Sequence, residues 1–364
     1  MGSTDSQAMM VSSTRQQLEL LGLDECLRRA EAEGATTAER LRLRDRYETA
    51  HGIMSALPEA DELAFLHSGL CQTYLPHSRP ASNRAIWRRS AGDLTLIVQP
   101  GLIDVTPLNQ RGRQPTLEEE EEMFLGVPWG AKARLILIYL QSEGLKGRVV
   151  QMGPSLSAWV RSMGLPATSG PRGSLRMIRD QTLRIARCQF TFQWEGRTDG
   201  QGNRRRSLVD VKIANRLDEW LHHGGGDSGD IVVELTADFY DHLKEHAVPL
   251  DRRAIAMLAE NCLGLDLYAL FAHRLHRISP GRPLTLSWRA LQAQLGTSES
   301  MTNSLAKRIR DVLPDVLAAY PDARVEATRR GLVMGHSSPS VPPRTSVLLS
   351  AARSGALTLL PGGA

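Results

Sequence analysis

Several things that would support catalysis or membrane insertion are missing from this 364-residue chain. Its four cysteines, Cys26, Cys71, Cys188 and Cys262, are widely separated and form no C-x-x-C pair. That argues against a zinc finger and for reduced thiols in a cytoplasmic protein. No run of 18 apolar residues occurs, so no membrane-spanning helix and no membrane partner is expected. No basic-then-apolar stretch opens the chain as a secretory signal would. Met1-Gly2-Ser3-Thr4-Asp5-Ser6 fits the loose myristoylation pattern, but nothing basic and amphipathic nearby supplies a second anchor. There is no G-x-x-x-x-G-K-[ST] loop for nucleotide phosphates. No histidine–hydrophobe–histidine triplet accompanies a tyrosine helix, as a nickase needs, and no paired carboxylates suggest nuclease metals. His242–His246 does fit H-x-x-E-H. It ends a short helix that runs into Val248-Pro249, and no downstream helix offers a third ligand. The expectation is a binding protein with no catalytic residue, metal or cofactor.

What is present points to an anionic partner. The net charge is +4 and the pI is near 9, with arginine the dominant basic residue. The basic residues cluster on particular elements, and most clearly in Pro283–Met334. There Leu284-Thr285-Leu286 reads as a strand, and Ser287 caps a short helix, Trp288–Leu295, closed by Gly296. Thr297 or Ser298 caps a longer helix with an apolar stripe at Leu305, Ile309, Val312 and Val316. Its polar face carries Ser300, Asn303, Ser304, Lys307 and Arg310. Two short strands follow, Arg324–Thr328 and Leu332–Met334, joined at Arg329-Arg330-Gly331. Strand, short helix, long polar-faced helix and basic-tipped hairpin is the order of a winged helix-turn-helix. In that fold the long helix enters the major groove and the wing lies on the backbone.

The middle of the chain repeats this order. Ala131–Glu143 is an apolar helix and Arg148–Met152 a short strand. Ser155 or Ser157 caps a short helix ending at Gly164. Ser169–Gly173 turns into a long helix, Ser174–Arg187, with Arg172, Arg176 and Arg179 on one stripe and Arg184 and Arg187 further along. A hairpin of Gln189–Trp194 and Leu208–Ile213 follows, its loop holding Arg197, Arg204, Arg205 and Arg206. The second copy has its own leading helix, Ala254–Arg277. Between the copies lie a strand, Asp230–Glu234, and a helix, Thr236–Glu245.

Elsewhere the reading is coarser. Arg15–Ala35 and Ala38–Leu57 read as two helices, the second with Thr36–Glu39 as a capping box. Leu63–Gly69 suggests a further helical turn. Leu94–Gln99 and Leu102–Thr106 read as strands, and Glu118–Glu122 as a solvated helix start. The expected fold class is α+β: tandem winged-helix domains with an N-terminal helical appendage. The divisions are 1–62 (helical), 63–115 (extended β segment and linker), 116–248 (first winged helix), 249–336 (second winged helix, with Pro249-Leu250 at its boundary) and 337–364 (tail).

Certain phrases resemble those of plasmid replication initiators of the RepA type, the family named for its RepA C-terminal domain. They are Tyr74-Leu75-Pro76 with Arg79-Pro80, Leu94–Gly101, Gly126–Arg134, Ser155–Trp159, Gly170–Gly173, Phe239–Leu250 and Tyr320–Glu326. The family more often has tyrosine at Trp129 and serine at Ala131, and Pro314 is expected to shorten the second recognition helix. The resemblance implies binding of double-stranded DNA at repeated origin sequences (iterons), origin opening, and recruitment of a host initiator and the replicative helicase. It also implies a homodimer formed through the first winged domain. The alternative is a winged-helix transcriptional regulator acting as a dimer on a palindromic operator. A DNA-processing enzyme, supported only by the H-x-x-E-H match, is the third. The candidate DNA-binding residues are Arg172, Arg176, Arg179, Arg204, Arg205, Arg206, Ser300, Asn303, Lys307, Arg310, Arg329 and Arg330.

Overall fold

The structure is a computed structural model; it describes residues 13–102, 116–152, 161, 165–166, 168, 173–198, 204–219, 231–297 and 302–342. Three helices come first: α1 (Ser13–Leu21), α2 (Leu23–Glu33) and α3 (Thr37–Ser55). The single helix expected over Arg15–Ala35 is two, because Gly22 adopts φ 75° and turns the chain. Thr36 Oγ1 accepts the Glu39 amide at 3.1 Å, and the Glu39 carboxylate reaches back to the Ala35 amide at 3.1 Å. Thr36 and Glu39 thus cap the helix as expected, with the returning carboxylate bond going to the residue ahead of the N-cap.

Leu63–His67 is not helical. It forms β1, buried at every position, and pairs antiparallel with β9 (Ala247–Asp251). Pro249 therefore sits inside a strand, opposite Phe65, where a boundary was expected. A two-stranded ribbon leaves each strand one outward edge, so a residue without an N–H is accommodated.

The remaining strands make three antiparallel sheets. β2 (Trp87–Ala91), β3 (Leu94–Gln99), β5 (Gln189–Thr198) and β6 (Arg204–Lys212) lie in the order β2-β3-β5-β6. β4 (Val149–Gln151), β7 (Ala214–Glu219) and β8 (Ile231–Leu235) lie in the order β4-β8-β7. β10 (Leu284–Ser287), β11 (Val325–Ala327) and β12 (Gly331–Met334) lie in the order β10-β12-β11. The last two sheets share one order: first strand at an edge, last strand in the middle. In that order β7–β8 takes the place that β11–β12 takes in the last sheet. The hairpin expected in that place, β5–β6, is inserted between α6 and β7 and lies in the four-stranded sheet. It joins β3 because Leu96 stands opposite Phe192 and Val98 opposite Phe190, and all four are buried on one face. Leu102 makes only an isolated bridge to Phe124, and 103–115 lie outside the described residues.

The other helices are α4 (Leu117–Glu122), α5 (Gly130–Gly144), α6 (Ser174–Arg187), α7 (Ala237–His246), α8 (Arg252–Met257), α9 (Cys262–Arg274), α10 (Trp288–Gln294) and α11 (Thr302–Ala319). The leading helix expected over Ala254–Arg277 breaks after Met257, and Asn261 Oδ1 caps α9 by accepting the Gly264 amide at 2.9 Å. The short helix expected from Ser155 or Ser157 to Gly164 lies outside the described residues, apart from position 161.

One hydrophobic core takes in residues from Leu63 to Val341. Inside it a buried ion pair joins α5 to α9. Arg134 of α5 is 7% exposed and Asp266 of α9 is 2% exposed. Arg134 Nη2 donates to Asp266 Oδ2 at 2.8 Å and to the Leu75 carbonyl at 2.7 Å. Its Nη1 donates to the Gly130 carbonyl at 3.0 Å and the Pro76 carbonyl at 3.2 Å. His77 Nε2 lies 2.8 Å from Asp266 Oδ2. Removing one partner of such a pair leaves a buried charge uncompensated. Asp266→Ala should therefore lower unfolding free energy by about 3–5 kcal/mol. Urea denaturation reads this as a lower midpoint at unchanged slope.

Candidate nucleic-acid interface

Helix α11 is divided along its length. Leu305, Ala306, Ile309, Leu313 and Val316 are buried in one seam. Towards the N-terminus, Asn303, Ser304, Lys307, Arg308, Arg310 and Asp311 are exposed. Asn303 and Lys307 are one turn apart on one face, and the Lys307 side chain is 79% exposed. Its ammonium meets Asp311 at 3.0 Å, an i,i+4 pair in solvent that is easily given up. Ser300 lies outside the described residues.

The C-terminal half of α11 is held from outside. Arg46 Nη2 and Nε lie 2.7 and 2.9 Å from Asp315 Oδ1, and Arg42 Nε donates to Oδ2 at 2.8 Å. Arg15 pairs with Asp322 just beyond. Ala318 packs with Leu18, Cys26, Ala30, Tyr47 and Ala50 in a second small core. The helix runs through Pro314 to Ala319, where an earlier end was expected. Pro314 cannot donate to the Arg310 carbonyl, but this packing holds the last turns in place.

Arg310 is not directed away from the protein. Its Nη2 donates to the Thr328 carbonyl at 3.1 Å, and its guanidinium lies 5.2 Å from the Trp288 ring. Trp288 Nε1 donates to the Arg329 carbonyl at 3.1 Å. Together these bonds tie the β11–β12 hairpin to α10 and α11. Arg329 and Arg330 are exposed at its tip. The tip and the exposed turns of α11 thus form one continuous basic and polar surface.

Helix α6 is less clean. Arg172 lies outside the described residues. Arg176 is exposed and Arg179 half-buried. Arg184, on the expected stripe, is buried, its Nε 2.8 Å from Asp180 Oδ2. Arg187 Nη2 donates to the Leu102 carbonyl at 3.1 Å. The exposed stripe of α6 mixes Arg176 and Arg187 with Leu183, which is 40% exposed. Arg204, Arg205 and Arg206 lie on strand β6, with Arg206 opposite Glu195 and Arg204 opposite Thr198, rather than in a loop. They stand at the far end of the inserted hairpin.

Residues 127–290 match the family model of the plasmid-encoded RepA protein. That segment, a little under half of the chain, is similar to the plasmid RepA family. The matched segment begins just ahead of α5 and ends within α10. It therefore contains α6 and both β5–β6 and β7–β8, and stops short of α11. No curated protein matches the sequence. Among solved structures, a crystal structure of selenomethionine derivatives of domains 2 and 3 of RctB is similar at 12% identity. It covers 67% of this chain and 83% of that one, with a TM-score of 0.39. A second crystal structure, of RctB domains 2–3, gives 13% identity, 67% and 82% coverage and a TM-score of 0.37. Among the described residues, no helix of the chain is long and apolar enough to cross a membrane.

The H-x-x-E-H histidines have a neighbour that sequence order does not show. His67 on β1 stacks on His242 with ring centroids 4.8 Å apart, and His246 lies 4.3 Å from His242. His67 Nδ1 accepts the Gly69 amide at 3.1 Å, so its proton sits on Nε2, which donates to His242 Nδ1 at 2.8 Å. Both nitrogens of His67 are thereby committed to hydrogen bonds. Burial, followed by the neighbouring His242 and His246, pushes its pKa down to about 3. His273 is held at about 3 by burial and then by Arg277. Each ring binds a proton near pH 6.5 in the unfolded chain but only near pH 3 in the fold. The unfolded chain thus binds more protons between these values, and stability falls as pH drops through that window. At pH 5 each ring should have cost on the order of 2 kcal/mol relative to pH 7. Thermal melts across pH 7 to 5 should show a steadily falling Tm, and a flat Tm would contradict the neutral buried pair. In the same assay Arg310→Ala should cost about 1 kcal/mol, through the lost Thr328 carbonyl bond. Lys307→Ala should stay within about 0.5 kcal/mol.

Proposed function

We propose that this chain is a replication initiator of the plasmid RepA type that binds duplex DNA sequence-specifically through tandem winged helices and has no catalytic activity of its own. The observation that carries the reading is the exposed N-terminal half of α11 beside the Arg329-Arg330 tip. A reading helix contacts base edges with its N-terminal residues while the wing meets phosphates. Asn303 suits adenine and Lys307 suits guanine or phosphate. Ser300 precedes them by one turn of sequence. Arg310 orients the wing against the helix. Arg176 and Arg179, with Arg172 shortly before them in sequence, give the first winged unit a basic approach to a second groove. Arg204–Arg206 add phosphate contacts from the inserted hairpin. The two sheets of identical order, β4-β8-β7 and β10-β12-β11, support a division into winged units at 116–248 and 249–336. The described parts ahead of these units are α1–α3 and the segment from Leu63 to Leu102. The tail expected from residue 337 does not begin there, because Ser337 and Val341 are buried and the Ser337 amide donates to the Leu275 carbonyl at 3.4 Å. Origin repeats, origin opening, a host initiator and the helicase are the partners and steps that the family assignment supports.

A second reading has its own observation. Leu183 stands exposed between Arg176 and Arg187, a mixture that suits protein contact as well as phosphate. On that reading the first unit dimerises the protein and only α11 reads DNA, as in a regulator on a palindrome.

Hydroxyl-radical footprinting separates the two. The initiator reading expects one chain to protect roughly 20 base pairs, in two zones one helical turn, about 10–10.5 base pairs, apart. Affinity should fall by roughly 10³-fold or more between 50 and 200 mM salt if six or more phosphates are contacted. Asn303→Ala and Lys307→Ala should each cost about 1–3 kcal/mol where they read a base. Protection of one groove per chain on an inverted repeat would promote the regulator.

A further inference from the structure

The turn between α10 and α11 is gripped by residues far away in the chain. Four successive carbonyls, those of Gln294, Leu295, Gly296 and Thr297, accept hydrogen bonds from residues 74–89. The Tyr74 amide donates to Gln294 at 3.1 Å and the His77 amide to Gly296 at 2.7 Å. Arg89 Nε donates to Leu295 at 2.7 Å and Nη2 to Thr297 at 3.2 Å, while its guanidinium lies 3.6 Å from the Trp87 ring. These carbonyls end a helix and open a turn, where the helix itself supplies no donors. Gly296 is there for closeness. Its φ is not positive, yet a Cβ on it would stand 1.8 Å from the Leu75 carbonyl oxygen.

The grip continues to the first long helix. Arg89 belongs to β2, which pairs with β3, which pairs with β5. β5 begins two residues after α6 ends. On the other side, the Leu75 and Pro76 carbonyls hold Arg134, which is bonded to Asp266 of α9. Sheet and ion pair thus link α6 with the turn ahead of α11 and with α9, which packs on α11.

We propose that this support is a gauge. Arg89 and Gly296 are positioning residues that fix the distance and rotation between the two long helices, so the protein selects the spacing of its two DNA segments as well as their bases. The proposal rests on the reading of both helices as DNA-contacting. A swivelling pair of winged units joined by a loose linker would accept many spacings, whereas a fixed pair accepts one.

The test uses the full chain and a duplex selected from a random pool by the wild-type protein. Five base pairs, about half a helical turn, are inserted between the two protected zones. Wild-type affinity should fall at least about tenfold, because the second contact can no longer form within the same complex. Gly296→Ala leaves the turn's own backbone comfortable but forces Leu75 away, and Arg89→Ala removes two of the four bonds. Both variants, folded by circular dichroism, should lose no more than about threefold on the same insertion, since a freed unit can re-seat. If Gly296→Ala does not fold, Arg89→Ala decides alone. Wild-type binding that tolerates the insertion with both zones protected would overturn the gauge and leave the DNA reading standing. So would folded variants that keep the wild-type spacing profile. Undiminished binding of Lys307→Ala to the selected duplex would instead overturn the DNA reading of α11 itself.

Discussion

The Arg134–Asp266 pair constrains everything around it. Each ion loses several kcal/mol of hydration when buried, and their attraction restores that only if every remaining donor and acceptor is met. Here the guanidinium bonds a carboxylate and the carbonyls of Leu75, Pro76 and Gly130, while His77 takes another site on the carboxylate. Apolar residues could fill the same volume with α5 and α9 crossing at several angles. The ion pair is satisfied at one. It also draws residues 75–77 into the interior, which brings the Leu75 carbonyl against Gly296 and the His77 amide onto its carbonyl. The placement of α11 therefore descends from a charge buried two helices away.

Local patterns were readable and distant partnerships were not. The α6 bounds, Ser174–Arg187, and the β3 bounds, Leu94–Gln99, follow from periodicity and turn residues alone. The seam of Leu305, Ile309 and Val316 shows equally in the sequence. Leu63–His67 misleads because a short apolar run has no period to separate strand from helix. Its strand character comes from β9, more than 180 residues later. The inserted hairpin misleads for a related reason. β5 and β6 directly follow α6, so adjacency suggests the wing, but sheet order is decided by the buried Phe190 and Phe192 meeting β3. Only the shared order of β4-β8-β7 and β10-β12-β11 shows which pair occupies the matching place in each sheet.

The candidate site divides in the same way. Exposure of Asn303, Lys307, Arg329 and Arg330 is a property of helix faces and hairpin tips, and the sequence shows it. Engagement is a property of neighbours. Arg310 is exposed yet committed to Thr328 across the hairpin. Arg184 lies next to Gln181 on the helical wheel, at the edge of the buried face, and is carried into the core with it. The clamp of Arg42 and Arg46 on Asp315 spans about 270 residues of sequence, and no local signal marks it. The N-terminal helices thus have a mechanical role that their composition gave no reason to suspect.

That role bears on how α11 can work. An 18-residue helix is about 27 Å long, and a duplex groove admits little more than its first two turns. The rest must be held by protein, or binding has to order it at an entropic cost. Asp315, Val316, Ala318 and Ala319 supply that hold, and their packing on α1–α3 and the core lets the helix run past Pro314. The turn ahead of the helix is fixed by Arg89 and residues 74–77, and the hairpin beside it by Arg310 and Trp288. Support thus reaches the helix through its C-terminal half, the turn before it and the adjoining hairpin. Asn303 and Lys307 project where none of these supports attaches. Ordering the helix is thereby completed on folding, and what remains for a partner to order is a few exposed side chains.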